Sequence, residues 1–165
     1  MATLTTIHVL ISLVGLATGA IVTAGLLSSR RLDRWTLAFL WSTLATSVTG
    51  FFFPFERLLP SHVVGVLSIV ILGAAFCARY AALMAGVWRA TYVVTAVAAF
   101  YLNVFVFVVQ AFLKVPVLNA MAPTQSEPPF AVAQLIVLAI FVVLGARAVA
   151  RFRPAADTAR SFTAV

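Results

Sequence analysis

Charge is scarce in this chain, and acid is scarcer still. Of 165 residues, Asp and Glu supply four and Lys and Arg eleven, so charged side chains make up 9%. A soluble domain carries about a quarter of its residues charged, and so poor a supply excludes that class. Cysteine occurs once, at Cys77, which excludes an intramolecular disulfide and any thiolate cluster built within one chain. Histidine occurs twice. No Gly-rich phosphate loop, HExxH pair or Ser/His/acid arrangement is present, so nothing in the sequence supports an enzyme. No acid falls inside an apolar segment, which counts against a proton-coupled carrier.

What remains is apolar. Hydrophobic residues make up 64% of the chain and the mean hydropathy is +1.13. These values describe an all-α integral membrane protein whose environment is the lipid bilayer, and the length leaves room for one bundle and no separate soluble domain. Apolar segments predict five transmembrane helices, at about 7–27, 35–53, 62–80, 91–113 and 130–149. A Pro-rich loop at 114–129 joins the last two; residues 1–153 form the domain, and 154–165 form a short tail. The first segment is not a signal peptide: no basic region precedes it, and Arg30, Arg31 and Arg34 follow it.

The net charge of +7 does not point to nucleic acid, because the charges sit at membrane boundaries. Arg30, Arg31, Arg34, Arg79, Arg89, Arg147, Arg151, Arg153 and Arg160 fall on one side, against Arg57 and Lys114 on the other. Asp33 and Asp157 offset the first group, Glu56 and Glu127 the second. The positive-inside rule then puts the N-terminus outside and the C-terminus in the cytoplasm. Arginine and alanine usage suggests a GC-rich bacterial genome, and hence a multi-pass protein of the inner membrane.

Helical spacing assigns faces. On the fourth segment Tyr92, Thr95, Ala96, Ala99, Asn103 and Gln110 share one stripe and are expected to face protein. Val94, Val97, Tyr101, Phe105, Val108 and Phe112 lie opposite and are expected to face lipid. In the first segment His8, Ser12, Gly15, Gly19 and Thr23 share a side, and Gly15 with Gly19 permits close helix approach. In the third, His62, Gly65, Ile69, Gly73, Phe76 and Tyr80 form the expected contact stripe. In the fifth it is Gln134, Phe141, Gly145 and Ala148.

In this topology almost every strong hydrogen-bonding side chain gathers in the outer half, while the inner half offers mainly boundary arginines that the insertion rule explains. His8, His62, Asn103, Gln110 and Gln134 are the candidate lining of an outer pocket for a lipid-like or quinone-like molecule. Lys114 and Glu127 stand in the Pro-rich loop that would close it. The blander reading makes the amides interhelical hydrogen-bond groups. A second class is a redox protein in which His8 and His62 ligate haem b or copper between two helices. A third is a transporter or channel subunit acting as a homo-oligomer or beside a membrane-protein partner. The expected function is that of a binding or accessory module.

Overall fold

A computed structural model describes residues 2–53 and 60–153. The connection bearing Pro54, Glu56 and Arg57, and the tail with Asp157 and Arg160, lie outside the described residues. Helices account for nearly all of what is described: α1 (Ala2–Leu27), α2 (Asp33–Gly50), α3 (Pro60–Phe76), α4 (Val87–Lys114), α5 (Pro116–Met121) and α6 (Pro128–Arg151). A π-helical turn over Cys77–Ala81 extends α3. α1, α3 with its π turn, α4 and α6 are each long and apolar enough to cross a membrane. α2 is less apolar, because its 18 residues include Asp33, Arg34 and several hydroxyls.

Local chemistry sets the boundaries. α1 closes on Ser29 in the left-handed region, φ 54°, with the Arg30 N–H donating to the Gly25 carbonyl at 2.8 Å; this six-to-one bond satisfies a carbonyl that the helix end frees. After the π turn the chain reverses through Leu83, Met84 and Gly86, all at positive φ. The prolines act as starters: Pro116 opens α5 and Pro128 opens α6, where the missing N–H costs nothing. The expected loop at 114–129 thus contains a short helix, and the fourth predicted helix begins one turn early, at Val87.

Cross-chain bonds fix which ends lie together. At one end Arg79 meets Asp33, Arg89 meets the carbonyls of Val149 and Phe152, and the Arg153 N–H donates to Ser29 Oγ at 2.8 Å. At the other, His8 bonds Thr49, the Phe51 ring tilts against His62 at 5.9 Å, and Phe112 meets Phe130 edge-on at 5.4 Å. α2 packs most extensively on α1, and α4 touches α1, α3 and α6.

α4 is therefore central, and this overturns the expected lipid face. Val97 and Phe112 are buried, and Tyr101 packs on Phe141 with centroids 5.6 Å apart. Val94 remains exposed. The expected α3 stripe is corrected as well. Of that stripe His62 is buried, Gly65 abuts Phe51 and Phe76 packs on Trp41, but Gly73 and Tyr80 are exposed, and the buried face of the second half runs through Ser68, Leu72, Ala75 and Arg79. On α6, Gln134, Phe141 and Ala148 are buried, the face that the spacing predicts.

The α1–α4 seam depends on glycine. A Cβ built on Gly19 would fall 2.5 Å from the Phe100 ring, whereas one on Gly73 would meet nothing within 4 Å. Gly19→Ala is expected to destabilise the bundle by about 1–3 kcal/mol through overpacking. Gly73→Ala should be neutral or stabilise by up to about 1 kcal/mol through helix propensity. Thermal unfolding of both variants in detergent checks the pair.

Candidate functional site

The predicted pocket residues are distributed over several interfaces. Asn103 lies where α4 crosses α1 and α2, its Nδ2 donating to Thr43 Oγ1 at 2.9 Å beside Gly15. A Cβ on Gly15 would come 3.3 Å from the amide, a tight contact to which Asn103 would have to give by a few tenths of an ångström. Gln134 is 9% exposed; its Nε2 donates to the Phe105 carbonyl of α4 at 3.2 Å, and its Oε1 is buried without a partner among the described residues. His8 Nδ1 is 2.9 Å from Thr49 Oγ1, and the ring lies edge-on to Phe53 at 5.2 Å. Gln110 differs from these, because its amide is exposed one turn before the end of α4.

The two histidines lie at the same end of the bundle. His8 engages Thr49 and Phe53, and the His62 ring tilts against Phe51, so both imidazoles meet the last turn of α2 or the residues that follow it. α1 and α3 are not packed on each other. Among the described residues, no three His, Cys, Asp or Glu side chains are grouped to hold a metal ion.

The Pro-rich segment folds back on α4. Asn119 Nδ2 donates to the Phe112 carbonyl at 3.2 Å, and Gln125 Nε2 donates to that of Val109 at 3.0 Å. Such bonds supply partners to backbone at a helix end, where the helix itself runs out of donors. Glu127 does not pair with Lys114; its carboxylate accepts from the Thr124 N–H at 3.2 Å, the Thr124 hydroxyl at 2.9 Å and the Ser126 N–H at 3.0 Å. The Lys114 side chain is exposed, within Coulombic reach of the His8 ring.

The arginine-rich end holds a polar network that the sequence reading missed. Arg79 is 4% exposed. Its guanidinium meets the Asp33 carboxylate, lies 4.9 Å from the centroid of the Tyr92 ring, and directs Nη1 at Met84 Sδ, 3.8 Å away. The Tyr92 hydroxyl is 3.3 Å from Thr36 Oγ1. Arg89 caps α6, its Nη1 donating to the Val149 carbonyl at 3.1 Å and to that of Phe152. Two of the arginines that the insertion rule was expected to explain are thus structural ties as well. A signal was present, since Asp33 is the one acid among the residues before Glu56, and a lone acid among arginines is a natural ion-pair partner.

Comparison with protein-family models, with curated proteins and with solved structures finds no match to this chain.

The Arg79 network predicts a specific stability order. Asp33→Asn leaves a buried cation without its counter-ion and is expected to destabilise by about 1–3 kcal/mol, below the value for a fully buried pair because Asp33 itself is largely exposed. Adding Arg79→Met removes the stranded charge and should recover part of that loss. Melting curves of the single and double variants test this; a double variant less stable than Asp33→Asn contradicts it.

Glu127 gives a pH signature. Desolvation acts to raise its pKa, but bonds from its own N–H, from Thr124 and from Ser126 together hold the carboxyl below the usual 4.5. A lowered folded pKa means that the carboxylate's hold on the 124–127 turn is complete above the unfolded value and is lost as pH falls through the folded one. The Thr124 and Ser126 amide resonances should titrate together with a midpoint below 4.5, and Glu127→Gln should abolish that titration.

Proposed function

We propose that the chain is a five-span protein of a bacterial inner membrane, N-terminus outside and C-terminus cytoplasmic, acting as a binding or accessory module. α2 is the fifth span in this reading. Several of its hydroxyls bond its own backbone, Ser42 donating to the Phe39 carbonyl, Ser47 to that of Thr43 and Thr49 to that of Ala45, and Thr36 and Thr43 meet Tyr92 and Asn103 of α4, whereas the Thr46 hydroxyl is buried without a partner among the described residues. A helix whose polar side chains bond its own backbone has little left to desolvate. The described arginines at the Asp33 end support a cytoplasmic placing for that end.

The proposed ligand is a lipid-like or quinone-like molecule held at the outer ends of α1 and α4. The observation that carries this reading is Gln110, an amide left exposed on an apolar span, with half-buried His8 and the Lys114 ammonium at the same end of the bundle. An amide, an imidazole and an ammonium together bind carbonyl or phosphate oxygens through hydrogen bonds strengthened by a low dielectric. Asn103 and Gln134 serve as supports of the seam, since both are committed to neighbouring helices. The Pro-rich segment ending at Glu127 is the proposed lid.

Photoreactive phospholipid and ubiquinone analogues, added to the reconstituted protein, test the site. Labelling near Gln110 is expected to fall roughly three- to tenfold in Gln110→Leu, the equivalent of one net hydrogen bond, and to fall similarly in His8→Ala. Equal labelling of wild type and both variants would refute a ligand at this end.

A further inference from the structure

We propose that the arginine-rich end carries a seat for the phosphate of an anionic lipid headgroup, formed by Arg30 and Arg153 where the turn after α1 meets the end of α6. It lies at the opposite end of the bundle from Gln110 and does not depend on that site.

The starting point is which arginines are already matched. Arg79 is paired with Asp33, Arg31 Nε lies 3.5 Å from the same carboxylate, and Arg89 is bound to two carbonyls of α6. Asp33 is the one acid at this end among the described residues, and it is shared already. Arg30 and Arg153 are exposed and have no side-chain partner among the described residues.

Their backbones are nevertheless held together. Ser29 Oγ accepts the Arg153 N–H at 2.8 Å, and Ser29 itself is held at φ 54° by the bond from the Arg30 N–H to Gly25. Arg30 and Phe152 also border the same shallow notch over Tyr92. Two arginines are thus set side by side along the backbone, with no acid matched to either among the described residues, so that a phosphate can draw on both. Guanidinium groups present paired N–H donors that match phosphate oxygens.

Depth selects a lipid over a soluble anion. Trp35 and Trp88 lie at this end with exposed indoles, the usual position of tryptophan at headgroup level. An anionic headgroup is therefore at the height of Arg30 and Arg153, while its chains can run along the exposed apolar surface of α6.

Native mass spectrometry of the full chain in detergent, titrated with phosphatidylglycerol or with phosphatidylcholine of the same chains, reads the preference. Wild type is expected to bind phosphatidylglycerol roughly tenfold more tightly. Arg30→Gln with Arg153→Gln should remove that preference, while Arg34→Gln with Arg147→Gln, also exposed arginines of this region, should keep it. Melting in phosphatidylcholine confirms that both double variants are folded, and the single variants Arg30→Gln and Arg153→Gln should each lose part of the preference. No preference in wild type, or equal loss in both double variants, overturns the seat. Saturable stabilisation by millimolar inorganic phosphate alone, matching that by phosphatidylglycerol, also overturns it by assigning the arginines to a soluble anion.

Discussion

A guanidinium withdrawn from water must be matched where it stands, and at Arg79 that requirement positions half of the bundle. Removing such an ion from water costs several kcal/mol even after relaxation, so its neighbours are not free to drift. Asp33 must start α2 beside the π turn, and Tyr92 must stand one turn into α4 with its ring under the cation. Thr36, one turn into α2, then meets the Tyr92 hydroxyl. The same charge fixes the rotation of α3. Arg79 faces inward, so Leu72 and Ala75 do too, and Gly73 is turned to the outside. The π turn that carries Arg79 is a local departure from α geometry of a kind that recurs where a side chain must be aimed.

Away from that charge the bundle is held by fit. Lipid tails are as apolar as leucine, so helices gain little by exchanging lipid for each other unless they approach closely or share hydrogen bonds. α4 does both on its α1 side, where Gly19 admits Phe100 and Asn103 reaches Thr43. On its α6 side aromatic edges take over: Phe141 receives Phe100 at 5.1 Å and Tyr101 at 5.6 Å. Val97 packs beside Gly145, where an added Cβ would make an ordinary contact at 3.6 Å. One helix thus presents two unlike faces, a polar and small-residue seam and an aromatic one.

That division explains what the sequence made legible. Helix existence, the loop positions and the α6 face follow from hydropathy, proline placement and the spacing of Gln134, Phe141 and Ala148. The second face of α4 does not. In a membrane, an apolar residue reads the same whether its neighbour is lipid or Phe141, so Val97, Tyr101 and Phe112 carry no mark of burial. The α3 rotation was hidden for another reason: glycines suggested a contact stripe through Gly73, but a charge pair with Asp33, 46 positions away in the chain, decides the matter. Asn103 and Gln110 look alike in sequence. One bonds Thr43 on a neighbouring helix and the other is left exposed, a distinction that only tertiary packing makes.

The two ends of the bundle are consequently of different kinds. At the Asp33 end, Asp33 of α2, Arg79 of the π turn, Arg89 of α4 and the carbonyls at the end of α6 are tied across the chain, so a change to a charged member strands its partner. At the His8 end, α1 is largely exposed over its first three turns, and the polar groups are single or locally satisfied. A closed end fixes helix positions to which an open end can respond without losing the fold. In the proposed topology α2 joins the two. Too polar to be held by hydropathy alone, it is kept by its long contact with α1, by Asn103 against Thr43 at mid-length and by Asp33 at its start. Insertion of α1 and α2 as a hairpin follows from that argument, because α2 finds in α1 the partner that the bilayer does not supply.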